Sequence, residues 1–143
     1  MSLQKSLIDN IMKFHSKRGS GTFFSIEFDQ EKNGEFHFSV KLPEQSLNPS
    51  GTIQGGMITS VLDDCTSLCV IMTCEGKRFP NTINLHTTFH RPLRLEPVKV
   101  KTSIIKLGKN VVSIEGKIFK KDNSLVASCV HTGFLFDTNG INT

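Results

Sequence analysis

Hydrophobic positions follow two periods along the chain. Leu3, Leu7, Ile8, Ile11, Met12 and Phe14 recur at spacings of three and four, which predicts an amphipathic helix ending near the Gly19-Ser20-Gly21 breaker and packing outside the core. From Thr22 the period drops to two. TFFSIEFDQ and EFHFSVKL alternate apolar and polar residues on either side of Lys32-Asn33-Gly34, and Asn-Gly between alternating segments predicts a β-hairpin. The stretch LNPSGTIQGGMITSVLDDCTSLCVIM, Leu47 to Met72, opens with turn formers and continues as a mostly apolar helix. After it, NTINLHTTFHRPL, VKVKTSIIKLG, NVVSIEGKIFKK and SLVASCVHTGFLF each read as a strand, divided by turn compositions at Pro92 to Pro97, Gly108-Lys109-Asn110 and Lys121-Asp122-Asn123. The order is helix, two strands, long helix, four strands.

With about half the residues in one antiparallel sheet and one long apolar helix between strands two and three, the sheet must curl around that helix. On a wheel of about 100° per residue, Met57, Val61, Cys65, Leu68 and Met72 form one arc, with Ile58, Leu62 and Cys69 at its edge. That arc faces the sheet. Asp63 falls nearly opposite its centre, beside Gly56 and Ser67, while Asp64 sits at its margin, so the two carboxylates point to different places.

Composition narrows the function classes. A chain of 143 residues fits one domain, 1–143, with a core over about residues 22–137, and the final DTNGINT reads as a frayed tail. No window approaches the ~20 apolar residues of a membrane span, which predicts no membrane partner. Lys5, Asp9 and Lys13 interrupt the amino-terminal apolar positions, so this stretch lacks the continuous apolar core of a secretory signal and a cytoplasmic location is expected. Cys65, Cys69, Cys74 and Cys129 lack metal or disulfide spacing and read as small core residues. The net charge of +4 is scattered. It hints at anionic ligands and predicts no nucleic-acid partner, since neither a basic stripe nor an aromatic platform is present.

Asn48, the G-T-I-x-G-G run from Gly51 to Gly56, and Asp63 eight residues after Gly55 together resemble the acyl-CoA thioesterases of the hotdog-fold superfamily, nearest in pattern to the 4-hydroxybenzoyl-CoA and phenylacetate-pathway branch. The likeness runs from about Phe23 to Phe136 and includes the strand order and the F-H-R-P that ends the third strand. It implies an α+β hotdog fold in which an antiparallel sheet wraps a long central helix, with an extra amino-terminal helix. It also implies a homodimer joined sheet edge to sheet edge, or a dimer of dimers, with two composite sites at the interface. The implied activity is hydrolysis of an acyl thioester to free acid and CoA-SH, with no metal and no cofactor beyond the coenzyme A of the substrate.

The residues support that chemistry on their own terms. A Gly-Gly pair at a helix start lets a ligand approach unpaired N–H groups and the positive end of the helix dipole, where an oxyanion is stabilised. The resemblance assigns the amide to Gly55, with Gly56 beside the substrate, against the blander reading that both glycines only permit tight packing. Asp63 becomes general base or nucleophile, where plain solvation is the alternative. Asp63 and the Gly55 amide of one chain stand roughly 12 Å apart along the helix axis, and the family resolves this by pairing the glycine of one chain with the aspartate of its partner. Asn48 orients water or the aspartate, or forms an Asx-turn before Pro49. Thr82 matches the hydroxyl residue that holds the attacking water, although threonine also simply suits a strand. Gln54 replaces the histidine that many relatives carry before the two glycines. It keeps an N–H donor for the thioester oxygen but cannot change charge near neutral pH. This departure leaves room for a non-catalytic acyl-thioester-binding protein as the alternative. Arg91 and Arg94 around F-H-R-P, with Lys106 and Lys109 at the neighbouring hairpin, are the candidates for the phosphates of coenzyme A. His86 and His90 share a sheet face without a third ligand, so no metal is expected.

Overall fold

The computed structural model describes residues 4–139 and 141. The chain forms helices α1 (Lys5–His15) and α2 (Ser20–Phe23), strands β1 (Ser25–Lys32) and β2 (Glu35–Lys41), helix α3 (Gly55–Thr73), and strands β3 (Arg78–Phe89), β4 (Val98–Leu107), β5 (Val111–Phe119) and β6 (Leu125–Asp137). All six strands lie in one antiparallel sheet in the order β1-β2-β4-β5-β6-β3. The strand following the long helix therefore returns to the far side and pairs with the last strand, which leaves β1 and β3 as the two edges. Asn33 and Gly34, at φ 54° and 80°, make the β1–β2 turn in the left-handed region that a two-residue hairpin requires.

The sheet curls around α3, the hotdog arrangement that the motif resemblance implies. Val61, Leu62, Cys65, Leu68, Cys69 and Met72 of α3 are buried against Phe38, Val100, Val112, Ile114 and Ile118 on the inward positions of the strands. Gly116 of β5 sets the closest approach: a Cβ there would stand 2.9 Å from Thr66 Cγ2 and 3.2 Å from Leu62 Cδ2. Burial extends beyond the expected arc. Thr66, Val70 and Ile71 are also buried, and Met57 at the first turn is only partly so, because the sheet meets one side of the helix while α1 and α2 cover another.

Several local expectations are corrected. The first helix stops at His15, well before the glycine breaker, and Ser20–Phe23 forms a separate turn of helix. It does not stand outside the core either, since Ile11 is fully buried in it; Leu3 lies outside the described residues. At 19 residues with mean hydropathy 1.3, α3 is long and apolar enough to cross a membrane by length and composition, contrary to the expectation that no segment approaches this; its apolar residues are instead enclosed by the sheet. The tail is tethered at its start. Thr138 donates its hydroxyl to the Gly76 carbonyl at 3.2 Å and Ile141 packs beside Gly76, while Gly140, Asn142 and Thr143 lie outside the described residues.

Candidate active site

One stripe of α3 faces the edge strand. Gly55, Thr59 and Asp63 stand four residues apart on the helix, hence on one face, and β3 runs past them. The Phe89 ring tip lies 3.4 Å from the position of a Cβ on Gly55. One turn on, the Thr59 hydroxyl donates to Thr87 Oγ1 at 3.3 Å. Strict alternation from Phe89, Thr87 and Leu85 would turn Thr82 outward. The pairing of β3 with β6 instead shifts register between Thr82 and Asn84, with Ile83 bulged into solvent, and this reverses the facing so that Thr82 points toward the helix.

Behind Asp63 and Thr82 sits His131 of β6, which the sequence reading did not single out. Its imidazole is completely buried. Nδ1 is 2.7 Å from Thr66 Oγ1 and Nε2 is 2.8 Å from Thr82 Oγ1, so both ring nitrogens are hydrogen-bonded. Asp63 Oδ1 stands 3.8 Å from Nε2 and accepts a long bond from the Ser67 hydroxyl at 3.5 Å. The signal for His131 was present in the register: Ala127, Cys129, His131, Gly133 and Leu135 are the inward positions of β6, and a histidine in such a row needs polar partners.

Burial holds the Asp63 carboxyl above the usual 3.8; a cationic His131 would lower it, Asp64 adds to the rise, and the Ser67 bond opposes it. Burial holds His131 below the usual 6.5, against the attraction of Asp63. The side chain of Asp63 remains 43% exposed, so the site couples an accessible carboxylate to an enclosed neutral ring. Asp64 points elsewhere, accepting from the Ser20 hydroxyl at 2.8 Å with His15 Nε2 at 3.6 Å.

The amino end of α3 is capped by Gln54, whose Oε1 accepts from Met57 N–H at 3.1 Å, leaving its Nε2 group as a donor. Gly56 makes that fold-back possible, because a Cβ there would stand 2.9 Å from Gln54 Oε1. The Gly55 and Gly56 amides belong to the first turn, where the helix supplies no acceptor. Asn48 forms the Asx-turn weighed above: Oδ1 accepts from Ser50 and Thr52 N–H, and Nδ2 donates to Thr52 Oγ1.

The four basic candidates separate into two pairs. Arg91 and Arg94 follow β3 at the amino end of α3, where Arg91 donates to the Leu125 carbonyl at 2.7 Å. Lys106 and Lys109 occupy the β4–β5 hairpin at the opposite ends of the strands, where the Lys109 carbonyl accepts from Arg78. The ten-residue β4 separates the pairs by about 30 Å, so the neighbouring hairpin does not bring them together within one chain. Lys106 and Lys109 border an open hollow of about 320 Å³ with Gly108, Asn110, Val111 and Ser113. His86 lines a separate hollow of about 210 Å³, and His90 pairs with Ser128 Oγ at 2.9 Å.

The family model described as Thioesterase superfamily matches residues 50–127. A Thermoplasma acidophilum protein named "Putative esterase" is 24% identical over 117 residues, covering 81% of this chain and 89% of that one. Among solved structures, a phenylacetic acid degradation-related protein from Ralstonia eutropha JMP134 superposes with TM-score 0.75 at 26% identity, covering 90% of this chain and 98% of the other. The Streptococcus mutans protein smu.793, solved bound to acetyl-CoA, superposes with TM-score 0.72 at 16% identity over 80% of this chain and 90% of that one.

Proposed function

Because the chain belongs to the thioesterase superfamily, we propose that it is an acyl-CoA thioesterase, which hydrolyses an acyl thioester to the free acid and coenzyme A. The observation that carries this reading is the meeting of Asp63 and Thr82 on one buried imidazole beside the free edge of β3. The acetyl-CoA bound to the Streptococcus mutans neighbour supports the choice of thioester.

In this reading, two copies pair their β3 edges about a two-fold axis. An exposed twelve-residue edge strand is a liability in a lone subunit, and pairing removes it. Antiparallel pairing of β3 with its mate brings the Phe89–Arg91 end of one strand beside the Arg78 end of the other. The partner subunit's Gly55 then approaches Asp63, and Arg91 and Arg94 of one chain join Lys106 and Lys109 of its mate around the coenzyme A phosphates. The thioester oxygen accepts from the partner's Gly55 amide, with Gln54 Nε2 assisting and Gly56 leaving room. Asp63 and Thr82 hold a water, and Asn48 orders the loop before the glycines. The water oxygen bonds to the thioester carbon as Asp63 takes its proton; the C–S bond then breaks, and that proton passes to the departing thiolate.

Release of free thiol, followed with a thiol-reactive dye across an acyl-CoA panel, tests the proposal with Asp63→Asn run alongside. Turnover by the native chain that is lost in the variant is expected. Equal turnover by both removes Asp63 from the mechanism. Acyl-CoA binding in calorimetry without any thiol release would favour the non-catalytic reading.

A further inference from the structure

The proton positions around His131 can be derived from its neighbours. Thr66 Oγ1 lies 2.8 Å from the Leu62 carbonyl oxygen and 3.1 Å from that of Asp63, as well as 2.7 Å from His131 Nδ1. A hydroxyl has one proton. Were it given to Nδ1, the Thr66 oxygen would face two carbonyl oxygens at these distances with only lone pairs between them. The proton therefore goes to the helix carbonyls, as in the usual back-bond of a helical threonine, and Thr66 Oγ1 accepts from Nδ1–H. A neutral imidazole carries a single N–H, so Nε2 presents a lone pair and Thr82 donates its hydroxyl proton to it at 2.8 Å. The 3.8 Å separation of Nε2 from Asp63 Oδ1 fits this arrangement, because two acceptors keep apart.

We propose that Thr66 locks His131 as the Nδ1–H tautomer and so makes Thr82 a hydrogen-bond acceptor toward the open side of the site. This deepens the thioesterase reading and rests on it for its consequence. Thr82, its proton spent on His131, and Asp63, an ionised carboxylate, then offer acceptors only. A water between them must donate both of its protons, which leaves an oxygen lone pair directed away from the two side chains and available to a carbonyl carbon. The opposite tautomer would place a proton on Nε2 and free the Thr82 hydroxyl to donate to that water, which would tie up one of its two lone pairs and leave one of its protons unheld. His131 is thus a positioning residue that acts through Thr82, and Thr66 acts through His131 from a place no substrate reaches.

Two-bond proton–nitrogen correlation spectra of the histidine-labelled native protein near neutral pH read the tautomer directly, with His131 identified by the signal missing in His131→Gln. A protonated Nδ1 with an unprotonated Nε2 is expected; the reverse overturns the proposal even where the enzyme is active. Thr66→Val keeps the shape but removes the acceptor. It is expected to populate the Nε2–H form and to lower kcat by about 10- to 100-fold, the scale seen when the partner that orients a metal-bound histidine is removed, with KM little changed. Thr82→Ser should retain turnover that Thr82→Val loses. A Thr66→Val protein with the native tautomer and native kcat overturns the lock. If the native chain cleaves no acyl-CoA yet shows the Nδ1–H form, the thioesterase reading falls and the tautomer assignment stands.

Discussion

Two carboxylates one residue apart on α3 meet opposite surroundings. Asp63 faces the edge strand, 43% exposed, and its contacts are long: 3.5 Å to Ser67 and 3.8 Å to His131. Asp64 faces the amino-terminal helices, 13% exposed, and holds the Ser20 hydroxyl at 2.8 Å beside His15. Asp64 fastens α1 and α2 to the central helix through Oδ1, while its buried Oδ2 has no hydrogen bond and faces only His15 at 3.6 Å. Asp63 keeps its oxygens open to a ligand. Residue type is the same on both sides, so the difference in role comes from the neighbours that each face of the helix meets.

Exchange of each carboxylate for its amide should therefore separate catalysis from stability. Asp63→Asn is expected to reduce acyl-CoA turnover by about 10²- to 10⁴-fold, the usual contribution of a positioned general base. Its melting temperature should hold or rise slightly, because burial already disfavours the Asp63 charge. Asp64→Asn is expected to leave turnover close to native while lowering stability by about 1–3 kcal/mol, since it weakens a charge-assisted bond in a mostly buried place. Thiol-release rates and denaturant unfolding of both variants measure the contrast. The reverse pattern would exchange their roles.

The pH dependence of stability sharpens the same contrast, since Asp63 and His131 shift in opposite directions. His131 lies below 6.5 in the folded chain, so the unfolded chain binds the extra proton, and stability is lost as pH falls from about 6.5 toward the folded value. Asp63 lies above 3.8 when folded. Between 3.8 and that raised value the folded chain binds the extra proton, and there stability falls as pH rises. Asp63 is the carboxylate acting on the imidazole, and the Thr66 and Thr82 hydroxyls are its hydrogen-bond partners. Melting curves across pH should show destabilisation of the native chain below pH 6.5 that is reduced in His131→Gln. An unchanged acid slope in that variant would remove His131 as its source.

How much of this was legible in the sequence depended on whether a residue's placement followed from local periodicity. The Asn33-Gly34 turn, the burial of Val61, Cys65 and Leu68, and the divergence of Asp63 from Asp64 all follow from periods of 2.0 and 3.6, and the structure agrees. Thr82 could be matched by motif but not oriented, because its facing depends on a bulge at Ile83 that alternation does not reveal. His131 was missed although its inward register was readable. What makes it notable is the pair of hydroxyls from Thr66 and Thr82, brought together across 65 and 49 residues of chain by the closure of β6 against β3 and α3. The separation of Arg91 and Arg94 from Lys106 and Lys109 within one chain was hidden for a related reason. Hairpin neighbours in sequence can stand at opposite ends of a sheet.

The smallest expected effects belong to Gln54, where cap and donor can be tested separately. Its Oε1 closes the first turn of α3 through Met57 N–H, and its Nε2 is the group left to meet a thioester oxygen. Gln54→Ala removes both and is expected to cost about 0.5–1 kcal/mol, the lower part of the range for losing an amino-terminal cap. Gln54→Glu keeps the acceptor, adds negative charge at the positive end of the helix and so should preserve or raise stability by about 0.3–1 kcal/mol, yet it has no N–H to donate. Stability should therefore rank Glu at or above Gln and both above Ala, while turnover should fall in both variants. If Gln54→Glu turns over acyl-CoA as fast as the native chain, the Gln54 amide serves the helix alone, and the partner subunit's Gly55 amide must carry the oxyanion without it.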